Sequence, residues 1–229
     1  MKHIHLYEQY ITEKRSNYDS LSRRITADII KKWVADFSLG QSQSAYYDQI
    51  EMPNKKLEFD IECTIYFKGR GFEIMQSTGA DARDIDDDGD DQTPYIIIDF
   101  RCEKEWLPGY WSELYMHLSD VVRHEIEHIT QGGEGVGNYR VGKPSQDDSE
   151  MRALIKAGIL PEYMYLLLPK EVDANLQGLR YEAKKRKHNM LDTVNSYLDT
   201  QTYLTADTRQ QVLDTWRQRA KVIGGIPNF

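Results

Sequence analysis

The stretch His124-Glu125-Ile126-Glu127-His128 sets two imidazoles four residues apart, with a carboxylate directly after the first. On an α-helix of about 3.6 residues per turn both rings project from one face. There they can meet a single zinc ion at the roughly 2.0–2.1 Å that Zn–N bonds require. Glu125 is turned by about 100° from His124. It can stand beside a metal without ligating it, where a base for an activated water is needed. Zinc lowers the pKa of a bound water towards about 7, so a nearby carboxylate can take its proton, and the oxygen can then attack a polarised carbonyl. The same carboxylate can return the proton to a leaving amine. The plainer alternative is a solvated helix face carrying two histidines by coincidence. With only 6 histidines in 229 residues, chance placement of this pattern is rare.

A catalytic zinc takes three protein ligands and leaves a fourth position to water. Downstream, PKEVDANLQG puts Pro169 at the first position of a helix and Glu171 in its first turn. An acid there also complements the helix dipole with no metal present. Asp173, Glu182, His188 and Glu134 compete for the third place. Glu182 lies three turns further along, and Glu134 sits in a glycine-rich loop that holds it poorly.

With these residues the chain resembles the gluzincin metallopeptidases, which pair HExxH with a glutamate from a later helix. Glu171-Val172-Asp173-Ala174-Asn175 is similar to the Glu-x-x-Ala-Asn segment of the phage-repressor-cleaving type of HExxH peptidase. The resemblance covers roughly residues 95–190. It implies a zinc metallopeptidase with a minimal zincin core, one Zn2+ per chain on His124, His128 and Glu171, and Glu125 as the catalytic base. It also implies a protein or peptide substrate lying extended along a sheet edge, for which Tyr95–Cys102 is the candidate. An oxyanion donor is needed as well; Tyr139 and Tyr181 are the candidates among 15 tyrosines. His117, two turns before His124, is expected to be a partly buried helix residue, with lining the cleft as the alternative. Asp120 and Glu127 are expected to be solvated acids, with bonds to imidazole N–H groups as the alternative. Trp106, Tyr110 and Trp111 read as core packing.

Positioning this site requires a particular run of elements. Leu21, Ile25, Ile29, Trp33 and Phe37 recur at helical spacing and predict a helix over 20–37, closed by Gly40. Alternation from Leu57 to Phe67 predicts a strand, Lys68-Gly69-Arg70-Gly71 a turn, and Phe72–Met75 the start of a return strand. Tyr95–Cys102 is a further strand. A long helix over 110–131, with Tyr115, Leu118, Val122, Ile126 and Ile129 on one stripe, carries the histidines and stops at Gly132-Gly133. Helices are expected near 150–157, 161–168, 169–190 and 206–223. The order implies one α+β domain over 1–229: a small mixed or antiparallel sheet packed on the HExxH helix, then C-terminal helices. Residues 1–14 form a mixed-polarity head, either docked as a helix or loose.

A net charge of −8 argues against nucleic-acid or anionic-membrane partners. The N-terminus lacks an apolar signal region and no apolar run reaches spanning length, so the expectation is a cytoplasmic, unsecreted protein. Cys63 and Cys102 form no CxxC pair and read as buried thiols. Asp84, Asp86 and Asp88 before Gly89 copy the first half of an EF-hand loop, but position twelve is Tyr95. A solvated acidic loop is the expectation there, with weak Ca2+ binding as the alternative. Gly132, Gly133, Gly135 and Gly137 match no phosphate-loop spacing, and Lys184-Lys185-Arg186-Lys187 fits a helix end. The head MKHIHLYEQYI is similar to proteins of tailed phages, which implies a host cytoplasm or a virion as the setting. The rival function is a zinc-binding phage structural or interaction protein with a silent site; the presence of Glu125 favours catalysis.

Overall fold

The computed structural model describes residues 2–52, 58–67, 73–80, 94–107, 109–130, 146–223, 226, 227 and 229. The architecture is α+β, and the chain divides into two compact units: one formed by Ser16–Gly142, the other by Met1–Arg15 with Lys143–Phe229.

The sheet unit begins within α1 (Lys2–Ser38). This helix is longer than the apolar stripe alone predicts, and the head is helical from Lys2. No glycine or proline interrupts the chain before Gly40, so nothing breaks the backbone ladder. Gly40 then stops it at φ +74. Its N–H bonds the Phe37 carbonyl and the Gln41 N–H bonds that of Asp36, a Schellman ending. Leu21, Ile25, Ile29 and Trp33 are buried as their spacing requires. Asp36, itself buried, accepts bonds from Lys32 and Ser44.

Four strands follow: β1 (Gln43–Glu51), β2 (Glu58–Tyr66), β3 (Glu73–Ala80) and β4 (Pro94–Arg101), in the spatial order β1-β2-β4-β3. β1 pairs antiparallel with β2, with Tyr47 opposite Glu62. β2 pairs parallel with β4, with Cys63 opposite Ile98. β3 pairs antiparallel with β4, with Ser77 opposite Ile97. Phe59, Ile61, Cys63 and Ile65 of β2 and Ile96, Ile98 and Phe100 of β4 point into one core, as period-2 alternation demands.

The strand after Gly71 does not return against β2, because β4 is inserted between them. By the same insertion, Tyr95–Cys102 is not a sheet edge: the edges are β1 and β3. β1 itself is invisible to a periodicity reading, since only Ser44 and Ile50 of its nine residues are buried.

After a 3₁₀ turn at Lys104–Trp106, α2 (Trp111–Thr130) runs against β3. It buries Leu114, Leu118, Val122, Ile126 and Ile129 in the sheet core. Trp111 meets Phe37 edge to face at 5.7 Å, as core packing requires, whereas Tyr110 is exposed and not part of the core.

The helical unit comprises α3 (Gln146–Lys156), a 3₁₀ stretch Glu162–Leu167, α4 (Pro169–Arg186), α5 (Met190–Asp199) and α6 (Ala206–Ile223). α4 ends at Lys187, in the left-handed conformation at φ 56, and α5 starts afresh at Asn189, whose side chain accepts the Asp192 N–H. The single helix expected over 169–190 is therefore followed by a separate one. Leu176, Val194, Leu198, Val212 and Trp216 form this unit's core, and the Trp216 indole N–H reaches the Leu166 carbonyl at 2.8 Å. Among the described residues no helix is long and apolar enough to cross a membrane.

Candidate metal centre

α2 changes character towards its C-terminal end. Its first turns bury only apolar side chains and Ser119; from Val121 to Ile126 every residue is buried, including Arg123, His124 and Glu125. Charged groups are rarely taken out of water unless something repays the cost. For Arg123 the repayment is plain. Nε donates to Asp19 on α1 at 3.3 Å, Nη1 donates to Glu127 at 2.9 Å, and the guanidinium lies 5.8 Å from the Tyr18 ring centre. Glu127 is thus bound to Arg123, and His117 is exposed rather than partly buried.

The two imidazoles converge as helical spacing requires. Their Nε2 atoms stand 3.1 Å apart, with ring planes at 79°. Two nitrogens bound to one tetrahedral zinc at about 2.05 Å would stand about 3.3 Å apart. Each ring thus presents the nitrogen furthest from the backbone to a common point. His124 is 7% exposed, His128 half-buried and Glu125 2% exposed.

Glu171 opens α4, with Pro169 at the first helical position. It is 2% exposed, and a buried carboxylate needs partners. Arg152 on α3 is one: Nη2 donates to Glu171 Oε1 at 2.5 Å, while Nη1 donates to the Tyr165 hydroxyl at 3.2 Å. Burial works against the Arg152 charge, but Glu171 and Tyr165 outweigh it and raise its pKa. Burial, reinforced by the Glu171 charge, lifts the Tyr165 phenol well above its ordinary value. Asn175 Nδ2 bonds the Glu171 carbonyl at 2.8 Å, and Ala174 is fully buried. The Glu-x-x-Ala-Asn segment thereby fixes its own first turn.

His124, His128 and Glu171 are a group that could hold a metal ion, each offering one ligand atom. They are the only such group of three among the described residues. Comparison with protein-family models, curated proteins and solved structures returns no match. Two neutral imidazoles and one carboxylate suit zinc and its divalent neighbours.

Two of the competing acids are engaged elsewhere. Asp173 is gripped at both oxygens by Arg219, at 2.6 Å each. Glu182 accepts from Arg186 at 2.7 Å, and His188 is exposed. Tyr181 is buried, with Lys185 5.4 Å from its ring centre. It stands ten residues beyond Glu171 on α4, a rise of about 15 Å, so the helix does not bring it to Glu171. Tyr139, Glu134 and the acidic loop with Asp84, Asp86 and Asp88 lie outside the described residues. Arg152 and Tyr165 were missed by sequence reasoning. Nothing in local spacing marks them, because their tie to Glu171 is made only by tertiary packing.

Proposed function

We propose that the chain is a zinc-dependent metallopeptidase of the gluzincin type, built on a minimal zincin core. The observation that carries this proposal is the convergence of His124 Nε2 and His128 Nε2, 3.1 Å apart on one helix, in a group that with Glu171 could hold a metal ion. Bound zinc would supply Lewis-acid polarisation of a peptide carbonyl and acidification of a water. His124 and His128 orient their lone pairs from one helix face, and Glu171 adds the charge that favours a dication over a monovalent ion. Glu125, next to His124 and turned away from the ligand face, accepts the proton and later delivers it to the leaving amine. Its burial keeps competing water away from that carboxylate. A peptide substrate would use both proton transfers through Glu125, since an amide has a poor leaving group.

The test compares zinc-loaded wild type with Glu125→Gln on a peptide library. A fall of about 10²–10⁴-fold in cleavage with zinc content unchanged is expected, the usual range for loss of a general base. Equal cleavage by the two proteins would remove Glu125 from the mechanism. One zinc per chain with no cleavage by either would assign the chain to the binding class instead.

A further inference from the structure

Within the helical unit, the Arg152–Glu171–Tyr165 contact has a geometry that simple charge neutralisation does not require. The guanidinium is forked between two acceptors: Nη2 on Glu171 Oε1 and Nη1 on the Tyr165 hydroxyl. Its carbon lies 5.1 Å from the Tyr165 ring centre. One end of the fork is fixed by a stacked, hydrogen-bonded phenol, and the other takes a single oxygen of a carboxylate that is itself 2% exposed. A planar fork anchored at one tooth can hold its other acceptor in one orientation. The backbone of Glu171 is pinned as well, through Asn175.

We propose that Arg152 is a positioning residue that reserves Oε1 of Glu171, so that this carboxylate offers a metal one oxygen and not two. The inference rests on the metal assignment above and deepens it. A cation already seated on Oε1 repels a second from that oxygen, so the carboxylate is hindered from gripping a metal with both. A metal with two imidazoles and one carboxylate oxygen keeps a position open for water. A carboxylate gripping with both oxygens fills that position and raises the coordination number. Arg152 would thus act on the metal through Glu171, as outer partners of metal ligands do.

The experiment uses full-length protein loaded with Co2+ or Zn2+ alone. Zinc affinity is measured by competition with a chromophoric chelator, and coordination number is read from the visible absorption of the cobalt form. Wild type should show the intense bands of a low-coordinate site. Arg152→Ala should bind zinc about 10–100-fold more weakly, the range for loss of an outer partner, and its cobalt bands should weaken as a further oxygen enters the shell. Arg152→Lys, which restores one N–H donor to Oε1, should recover part of both. Arg152→Met keeps the aliphatic packing on Tyr165 and replaces the alanine variant if that one does not fold. A merely structural Arg152 would lower the unfolding temperature of the metal-free protein and leave the cobalt bands of the loaded form unchanged. That result, or zinc affinity equal to wild type, overturns the proposal while the metal assignment stands. Wild type that takes up neither ion overturns both.

Discussion

The histidines on α2 and the glutamate on α4 are held by different means. On α2 the two rings are aligned by helix geometry alone: a four-residue spacing brings their Nε2 atoms to 3.1 Å, and the sheet core holds the helix through Leu118, Val122 and Ile126. On α4 the candidate ligand Glu171 sits in a first turn, where helix geometry supplies no neighbour, and its carboxylate is fixed by Arg152 from another helix. The first arrangement is local in sequence and the second is tertiary. The difference teaches that a donor pair on one helix is fixed by its spacing, whereas a lone carboxylate ligand needs a partner to define its direction.

Substitutions can break this contrast in graded steps. The largest effect should follow loss of the locally built pair. His128→Ala is expected to lower zinc affinity by more than about 100-fold, beyond the upper end for outer-partner losses, while the unfolding temperature of the metal-free protein stays close to wild type. Next comes the anchorage of α2. Arg123 is fully buried and shared by Asp19 and Glu127. Arg123→Ala leaves the Asp19 carboxylate buried without that partner and should cost about 3–5 kcal/mol in urea unfolding. A loss under 1 kcal/mol would show that the sheet core alone holds the helix.

The anchorage of α4 should matter less. Arg219 grips Asp173 with two bonds, but its side chain is 43% exposed. Arg219→Ala is therefore expected to cost about 1 kcal/mol or less. The smallest effect concerns acid. Bonds from Lys32 and then Ser44 hold the Asp36 carboxyl below its ordinary 3.8. A depressed folded value means that the unfolded chain binds the proton more readily. The contribution of Asp36 is thus present above pH 3.8 and lost as pH falls through the lower folded value. Asp36→Asn should flatten the acid limb of the stability curve, and an unchanged limb would show that the pair has no effect.

The same local-versus-tertiary division explains what could be read from the sequence. The stripe on α1, the alternation of β2 and the histidine spacing on α2 are short-range periodicities, and each appears in the structure as expected. Glu171 is the acid that the resemblance to gluzincins implies, and it groups with the histidines as a possible metal ligand, while Asp173 and Glu182 are paired with arginines. Sheet order could not be read, because nothing in β4 itself says that it inserts between β2 and β3. β1 was missed because an edge strand buries too little to show a period. α5 was legible in principle: Asn189 caps it and Met190, Val194 and Leu198 lie on one face. Arg152 leaves no local signal, since its meaning comes only from Glu171, nineteen positions away.

Metal content tests the central claim most directly. Wild-type protein, saturated with zinc and then freed of loosely held metal by gel filtration, should retain one zinc per chain, and His124→Ala treated identically should retain none. Wild type emerging metal-free from zinc-replete buffer would contradict the assignment of His124, His128 and Glu171 as a metal centre.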